Sequence, residues 1–449
     1  MGKLFGTDGV RGKANVDLTP LLAYELGLKG AYVLRQIHGN GGKAKIVVGR
    51  DTRLSGEMLE AALTAGICAA GVDVVSFGVI PTAAVAYLAK NMGAVAGVVI
   101  SASHNPAYDN GIKFFGGNGY KLPDEVEDQI EELILRETTV PLATEQEIGT
   151  VTYDLDAPQR YARYLVERLD SDLAGKKVVL DCANGASSYI APRVFEAMGA
   201  EVIATHHTPD GWNINDRCGS THTESLQKAV LEQQAAIGLA FDGDADRLLV
   251  VDENGRLISG DQIMVICACY MKEHGMLKNN RLVVTVMSNL GLKLAMEELG
   301  VEVLQTKVGD RYVIEKMRES GAVIGGEQSG HIIFSEINTT GDGLTTALFL
   351  MQILAETQKP VSQLAQAMRV LPQVLKNVRV KTKEGWKENP AIQAVMEQAS
   401  AELADSGRIL VRPSGTEPLL RVMAEGPDLK ILERIVNEIS TVVAAQLNG

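Results

Sequence analysis

The chain has 449 residues, 46% of them hydrophobic and 22% charged, with a formal net charge of −13. That length admits several domains, and the balance is that of an ordinary globular protein. The acidic excess argues against non-specific nucleic-acid binding, which requires a basic surface, so any anionic ligand must be met by locally concentrated cations.

The start, "MGKLFGTDGV", carries no basic-then-apolar signal pattern, and no apolar run in the chain is long enough to span a bilayer. The five cysteines, Cys68, Cys182, Cys218, Cys267 and Cys269, are odd in number and form no CxxC pair. Neither a disulfide framework nor a zinc site is therefore expected, and a reducing cytoplasm fits.

Further along, one unit recurs three times in order, if not in identity. Apolar strands ending in polar or glycine loops begin at 46 ("IVVGRDTRLSG"), 178 ("VVLDCANGASS") and 283 ("VVTVMSNLGL"). A helical pattern follows each. Then come a glycine and a second strand, "GVDVVSFG", "GAEVIATH" and "GVEVLQTK", the signature of a helix stop and a strand start. After a further helical stretch each unit reaches a third strand, "AVAGVVI", "AAIGLAF" and "GAVIGG". Strands alternating with helices predict three α/β domains with mixed, largely parallel sheets. The polar stretch "ETTVPLATEQEIGTVTYDLDAPQ" reads as the separator of the first two units. The remaining segment breaks the pattern and predicts a smaller C-terminal α+β domain. The expected domains are 1–155, 156–256, 257–372 and 373–449.

Ligands of such sheets bind beyond the carboxyl ends of the strands, and the three third strands run into unusual loops there. The first is "SASHNP", which presents Ser103 beside His104, with Lys113 close behind in "DNGIKFF". A Ser-His-Asp hydrolase would show GxSxG instead. If Ser103 carried a phosphate, His104 and Lys113 could balance its charge and move protons. The second loop, "DGDADR", sets Asp242, Asp244 and Asp246 at alternate positions. Three carboxylates so close repel one another unless a cation sits among them, and hard oxygen donors favour Mg²⁺ or Ca²⁺. A calcium EF-hand is the rival reading, since Glu253 falls at its twelfth position. Arg247 in place of the required glycine, and strands rather than helices on both flanks, argue against it. The third loop, "GGEQSGH", offers Glu327 and Ser329 between glycines, a pairing suited to sugar hydroxyls. In the last segment "RPSGTEPLLR" gathers Arg412, Ser414, Thr416 and Arg421 at a proline-glycine turn able to wrap a phosphate dianion and to close over a substrate.

These four loops in this order, with "FGTDGVRG" at 5–12, resemble the α-D-phosphohexomutase superfamily over essentially the whole chain. "NINDRCGSTH" at 213–222, "KVGDRYV" at 307–313 and Gln328 point to its amino-sugar branch. The resemblance implies four domains around a central cleft. It also implies Ser103 as a phosphoserine, Asp242, Asp244 and Asp246 as Mg²⁺ ligands joined by the Ser103 phosphate, and Arg247 steadying that phosphate. Glu327 and Ser329 would read sugar hydroxyls. Arg412, Ser414, Gly415, Thr416 and Arg421 would hold the non-reacting phosphate. Arg11, Lys113 and His331 would supply positive charge and protons at the reacting oxygen. The activity implied is interconversion of glucosamine 6-phosphate and glucosamine 1-phosphate through a 1,6-bisphosphate, feeding UDP-N-acetylglucosamine and the cell wall. The expected partners are those sugar phosphates, with no nucleic acid and no membrane; a homodimer is compatible. The alternatives are a phosphomannomutase/phosphoglucomutase, a Mg²⁺-dependent sugar phosphatase releasing inorganic phosphate, and a non-catalytic sugar-phosphate sensor.

Overall fold

A computed structural model describes residues 4–6, 8–38, 43–169, 171–414 and 417–448. The chain divides into two compact units, residues 1–287 with 302–366, and residues 288–301 with 367–449.

The larger unit holds three sheets. The first comprises β1 (Val10–Lys13), β2 (Lys45–Arg50), β3 (Asp73–Val79), β4 (Ala96–Ile100), β5 (Asp109–Gly116) and β6 (Val151–Tyr153), in the order β1-β5-β4-β2-β3-β6. The second comprises β7 (Lys177–Asp181), β8 (Glu201–Thr205), β9 (Ile237–Phe241), β10 (Leu248–Asp252) and β11 (Leu257–Ile258), ordered β11-β10-β9-β7-β8. The third comprises β12 (Arg281–Thr285), β13 (Glu302–Thr306), β14 (Ile324–Gly326) and β15 (Ile332–Phe334), ordered β13-β12-β14-β15.

A common plan underlies all three. The first strand of each repeat lies between the second and third and parallel to both, and a fourth strand returns antiparallel against the third. The three unusual loops are therefore the same object, the connection at the carboxyl end of the third strand. The central strands are continuous apolar runs because helices cover both faces: "AGVVI" in β4 and "IGLAF" in β9 are buried at every position. Helices Pro20–His38 and Gly56–Ala69 cross closely. A Cβ added at Gly27 would lie 2.2 Å from the Leu63 carbonyl oxygen, and one at Gly66 2.2 Å from that of Tyr24.

The stretch expected to separate the first two repeats does more than link. Its residues Val151–Tyr153 pair with β3 in parallel and extend the first sheet. Thr150 secures this strand, its backbone N–H donating to Asp73 at 2.7 Å.

The smaller unit carries β16 (Gln373–Arg379), β17 (Arg408–Pro413) and β18 (Leu419–Glu425), antiparallel in the order β16-β18-β17. The helix Leu429–Asn448 buries Leu432, Ile435, Val436, Ile439, Val443 and Leu447, the three- and four-residue spacing of one helical face. Against it packs the helix Pro390–Leu403, whose start is capped by Asn389 accepting from the Ala391 and Ile392 N–H groups. The helix Leu290–Glu298, part of the third repeat in chain order, packs with this unit. Leu290 N–H donates to Glu425 at 3.0 Å, the Asn289 amide donates to Leu371 O at 2.9 Å, and Gly291 fits against the Arg369 carbonyl.

Candidate active site

The serine loop begins where β4 ends. Ser101 donates from Oγ to Asp51 Oδ2 at 2.6 Å and accepts from Ser103 N–H at 2.9 Å, which tightens the turn. Ser103 takes the left-handed conformation, φ 50°, rarely adopted by residues with a side chain, and only 1% of it is exposed. Its hydroxyl donates to Asp242 Oδ2 at 2.5 Å, and His104 Nδ1 lies 3.4 Å from Ser103 Oγ.

The aspartate loop is equally constrained. Asp242 Oδ1 accepts from Arg247 N–H at 3.2 Å. Asp244 Oδ2 accepts from Thr82 Oγ1 at 2.7 Å and from Lys113 Nζ at 2.9 Å, and the Asp244 carbonyl caps the start of the helix Thr82–Asn91. Gly343 N–H, the first residue of the helix Gly343–Thr357, donates to Ala245 O at 3.0 Å. That helix is capped by Asp342, which is itself bonded to Tyr161 and Thr345. All three aspartates are buried and their carboxylates converge.

Two carboxylate oxygens, Asp244 Oδ1 and Asp246 Oδ1, are buried without a hydrogen-bond partner, an expensive arrangement unless something else fills the space between them. The titration behaviour agrees. Burial raises Asp242 well above the usual carboxylate range, and the charges of Asp246 and Asp244 push it the same way, outweighing Arg247 and the Ser103 hydroxyl. Asp242 therefore resists ionisation in the absence of an added cation. Hard oxygen donors, unpartnered and crowded, fit a small divalent ion such as Mg²⁺.

Around this centre runs a band of paired charges. Lys113 Nζ lies 2.9 Å from Asp244, 3.1 Å from Asp8 and 3.9 Å from Asp246. Burial opposes its charge, yet the three carboxylates outweigh burial and hold it above the ordinary lysine range. His331 places Nδ1 3.5 Å from Asp246 and Nε2 3.7 Å from Asp310. Burial again works against the charge, but Asp246, Asp310 and Glu327 raise this imidazole to about 9, so it is protonated at neutral pH. His104 is the opposite case: burial, then Arg247 and Arg11, lower it to about 4 and keep it neutral. Arg11 pairs with Asp8. Arg247 lies 3.8 Å from Asp246. The 327–331 loop comes next to the aspartate loop through Leu248 N–H, which donates to Gly330 O at 3.0 Å. Glu327 accepts from Gly309 N–H at 3.2 Å, and Ser329 Oγ is buried without a partner.

The larger unit thus brings together Arg11, Ser103, His104, Lys113, Asp242, Asp244, Asp246, Arg247, Glu327, Ser329 and His331. Sequence reasoning passed over Asp8, Thr82, Lys121 and Asp310. Lys121 bridges Asp8 and Asp310 at 2.6 Å each. Two of these had a signal, because Asp8 stands in "FGTDGVRG" and Asp310 in "KVGDRYV".

The smaller unit holds the remaining expected residues. Arg412 and Arg421 face each other across β17 and β18. Both Nε–H groups are buried without a partner, and burial together with the charge of Arg421 lowers the Arg412 pKa. Two like charges held side by side suit a dianion. Ser414 follows, its carbonyl accepting from Lys383 at 2.8 Å, a cation the sequence reading did not include. Gly415 and Thr416 lie outside the described residues.

Comparison with known proteins follows the same order along the chain. Residues 2–141, 159–255, 259–371 and 375–442 match, in turn, the phosphoglucomutase/phosphomannomutase alpha/beta/alpha domains I, II and III and the C-terminal domain. A phosphoglucosamine mutase of Carboxydothermus hydrogenoformans is 57% identical over 444 residues, covering 99% of each chain. One of Brevibacillus brevis is 54% identical over 448 residues, covering 100% of each. Among solved structures, a phosphoglucomutase/phosphomannomutase family protein of Burkholderia thailandensis superimposes with a TM-score of 0.81 at 27% identity, covering 98% of this chain and 97% of that one. The N-acetylphosphoglucosamine mutase of Aspergillus fumigatus, solved with GlcNAc-6P and magnesium, has a TM-score of 0.71 at 18% identity, covering 100% and 96%.

Proposed function

Since the chain belongs to the phosphoglucomutase/phosphomannomutase family, we propose that it interconverts glucosamine 6-phosphate and glucosamine 1-phosphate, with Ser103 as the residue that carries and hands over the phosphoryl group. One observation bears most of the weight. The Ser103 hydroxyl is buried 2.5 Å from Asp242, within a trio of carboxylates that offers two unpartnered oxygens. The amino-sugar substrate rests on relatives at 53–57% identity that carry that name.

The residues have separable tasks. Asp242, Asp244 and Asp246 would hold Mg²⁺, which when bound neutralises charge building on the transferred group. Arg247, beside the trio, steadies a phosphate on Ser103. Lys113 stays charged and fixes Asp244 and Asp246 in place. His331 is a protonated imidazole beside the site, able to lend a proton to an oxygen. His104 Nδ1, neutral and 3.4 Å from Ser103 Oγ, is positioned to accept one. Glu327 and Ser329 present an acceptor and a hydroxyl for the sugar ring. Arg412, Ser414, Thr416 and Arg421, with Gly415, hold the phosphate that is not reacting.

In the forward direction the Ser103 phosphoryl group passes to the free hydroxyl of the 6-phosphate substrate and gives a 1,6-bisphosphate. The intermediate turns, its other phosphate returns to Ser103, and glucosamine 1-phosphate leaves. Transfer of this kind depends on positioning and charge neutralisation more than on covalent assistance. The product is the amino-sugar phosphate used for UDP-N-acetylglucosamine.

Peptide mapping for a phosphate on Ser103 tests this reading when paired with turnover assays on glucosamine, glucose and mannose phosphates. A phosphoserine and preference for the amino sugar are expected, with Ser103→Ala inactive yet still able to bind substrate. Full activity in Ser103→Ala would overturn the mechanism. Preference for mannose phosphate would overturn the substrate.

A further inference from the structure

"NINDRCGSTH" marks a branch but has no task in the chemistry above. The structure gives one of its residues a specific set of contacts. Asn215 lies in the loop between β8 and the helix Glu224–Gln233, in the left-handed conformation with φ 58°. Its backbone N–H is tied to Ala183 O at 2.9 Å. Its side-chain amide reaches across to the serine loop and donates to Ser103 O at 2.9 Å and to Asn105 O at 3.0 Å. An amide nitrogen has two hydrogens, and both are used on the carbonyls that bracket His104.

The same two carbonyls are gripped from the other side. Arg53, fully buried, donates from one guanidinium nitrogen to Ser103 O at 2.9 Å and to Asn105 O at 2.8 Å. From the other it donates to Pro106 O and, at 3.0 Å, to Asp109 O. Asp51 fixes Arg53 through Nε at 2.9 Å and also receives Ser101 Oγ. Each carbonyl thus takes one donor from the first repeat and one from the second. Gly243 closes the arrangement, because a Cβ there would meet Ser103 O at 2.6 Å and the Asn215 amide at 2.9 Å. The aspartate loop, the serine loop and Asn215 share one contact point, and only a residue without a side chain fits there.

Ser103 occupies a left-handed conformation that costs energy and persists only where its surroundings over-determine it. Misplacing a reacting atom by about an ångström can cost about a hundredfold in rate. We propose that Asn215 is a positioning residue for phosphoryl transfer. With Arg53 it clamps the carbonyls flanking His104, and so fixes where Ser103 Oγ meets the carboxylate trio. This inference rests on the mutase reading, since it gives Asn215 a task only if Ser103 is the group that reacts.

Asn215→Gly keeps the left-handed backbone free of strain and removes both donors. Asn215→Asp keeps shape and left-handed tolerance but turns an oxygen toward two carbonyls. The assay is steady-state turnover of glucosamine 6-phosphate with glucose 1,6-bisphosphate as activator, alongside thermal unfolding. The expected result is a kcat lowered about tenfold or more in Asn215→Gly and further in Asn215→Asp, with KM within about twofold of the parent. A merely structural role would move the unfolding midpoint without this split or this order. Both variants within about twofold of the parent kcat, or losses confined to KM, would overturn the proposal. Ser103→Ala, run in parallel, separates the two ideas: if it is inactive while the Asn215 variants are normal, only the clamp fails, and if it is active, the mutase reading fails first.

Discussion

Lys113 is the most heavily loaded cation of the site, and removing it gives a test of the charge arrangement that does not depend on turnover. Its side chain is 3% exposed, and the ammonium faces Asp244, Asp8 and Asp246 at 2.9, 3.1 and 3.9 Å. Lys113→Met keeps much of the stem's length and apolar packing and deletes the charge. Asp8 retains Lys121 at 2.6 Å and its pairing with Arg11, so the uncompensated charge falls mainly on Asp244. There Thr82 Oγ1, at 2.7 Å, becomes the remaining donor to Oδ2. Breaking a buried pair by removing one partner costs about 3–5 kcal/mol. That loss should appear in urea-induced unfolding of the metal-free protein, at a slope of about 3 kcal/mol per molar, as a midpoint lowered by about 1 M or more. Mg²⁺ should then stabilise the variant more than the parent, because a divalent ion among the aspartates replaces the missing positive charge. A loss below about 1 kcal/mol, or equal stabilisation of both proteins by Mg²⁺, would refute the view that Lys113 is the cation balancing the trio.

Two other substitutions probe separate parts of the fold. Asp244→Asn removes a charge and replaces one of the trio's oxygens, and should weaken Mg²⁺ binding by at least about tenfold in calorimetric titration; affinity equal to the parent's would exclude Asp244 as a ligand. His206 pairs with the buried Asp181 at 3.2 Å, and this contact raises the imidazole pKa. The stabilisation is therefore complete below the ordinary histidine range near 6.5 and fades as pH rises through the raised value. Because His206 is partly exposed, the contribution is below about 1 kcal/mol. The midpoint gap between the parent and His206→Gln should be widest near pH 6 and narrow toward pH 9, and a gap that widened with pH would contradict the assignment.

What the sequence disclosed, and what it withheld, follow from the range of the interactions. The three repeats were legible because strand periodicity and glycine stops are local, and the order of the loops then placed them at equivalent strand ends. Ser103 and the aspartates stood out for the same reason, as compact clusters of unusual residue types. Lys121, Arg53 and Thr82 carry no such mark. Lys121 matters because Asp8 and Asp310 reach it from 113 and 189 residues away, and Arg53 because four carbonyls of one loop converge on it. An isolated cation or hydroxyl in a sequence is ordinarily a surface group, and only the fold identifies the exceptions. Val151–Tyr153 was hidden differently, since three exposed residues at a sheet edge have no buried face to impose a pattern.

The surplus of acid in the chain opposes an anionic substrate, yet the site reconciles the two. Asp8, Asp310 and the aspartate trio alternate with Arg11, Lys113, Lys121, Arg247 and His331. Nearly every buried cation already has a carboxylate partner, so these cations stay charged despite burial and are held in fixed places. Free cations would be mobile, and in a dry pocket Lys113 and His331 would lose their protons. The carboxylates therefore act as holders that keep positive charge aimed at one spot. Arg412 and Arg421, by contrast, have no carboxylate partner among the described residues; they face each other, and burial together with the charge of Arg421 lowers the Arg412 pKa. A phosphate that must stay bound is best met by cations with nothing else to bind. One that must leave and return is best met by cations already balanced, which stabilise charge in transit without trapping it. The larger unit thus carries cations already balanced by carboxylates, and the smaller unit a pair of arginines held side by side.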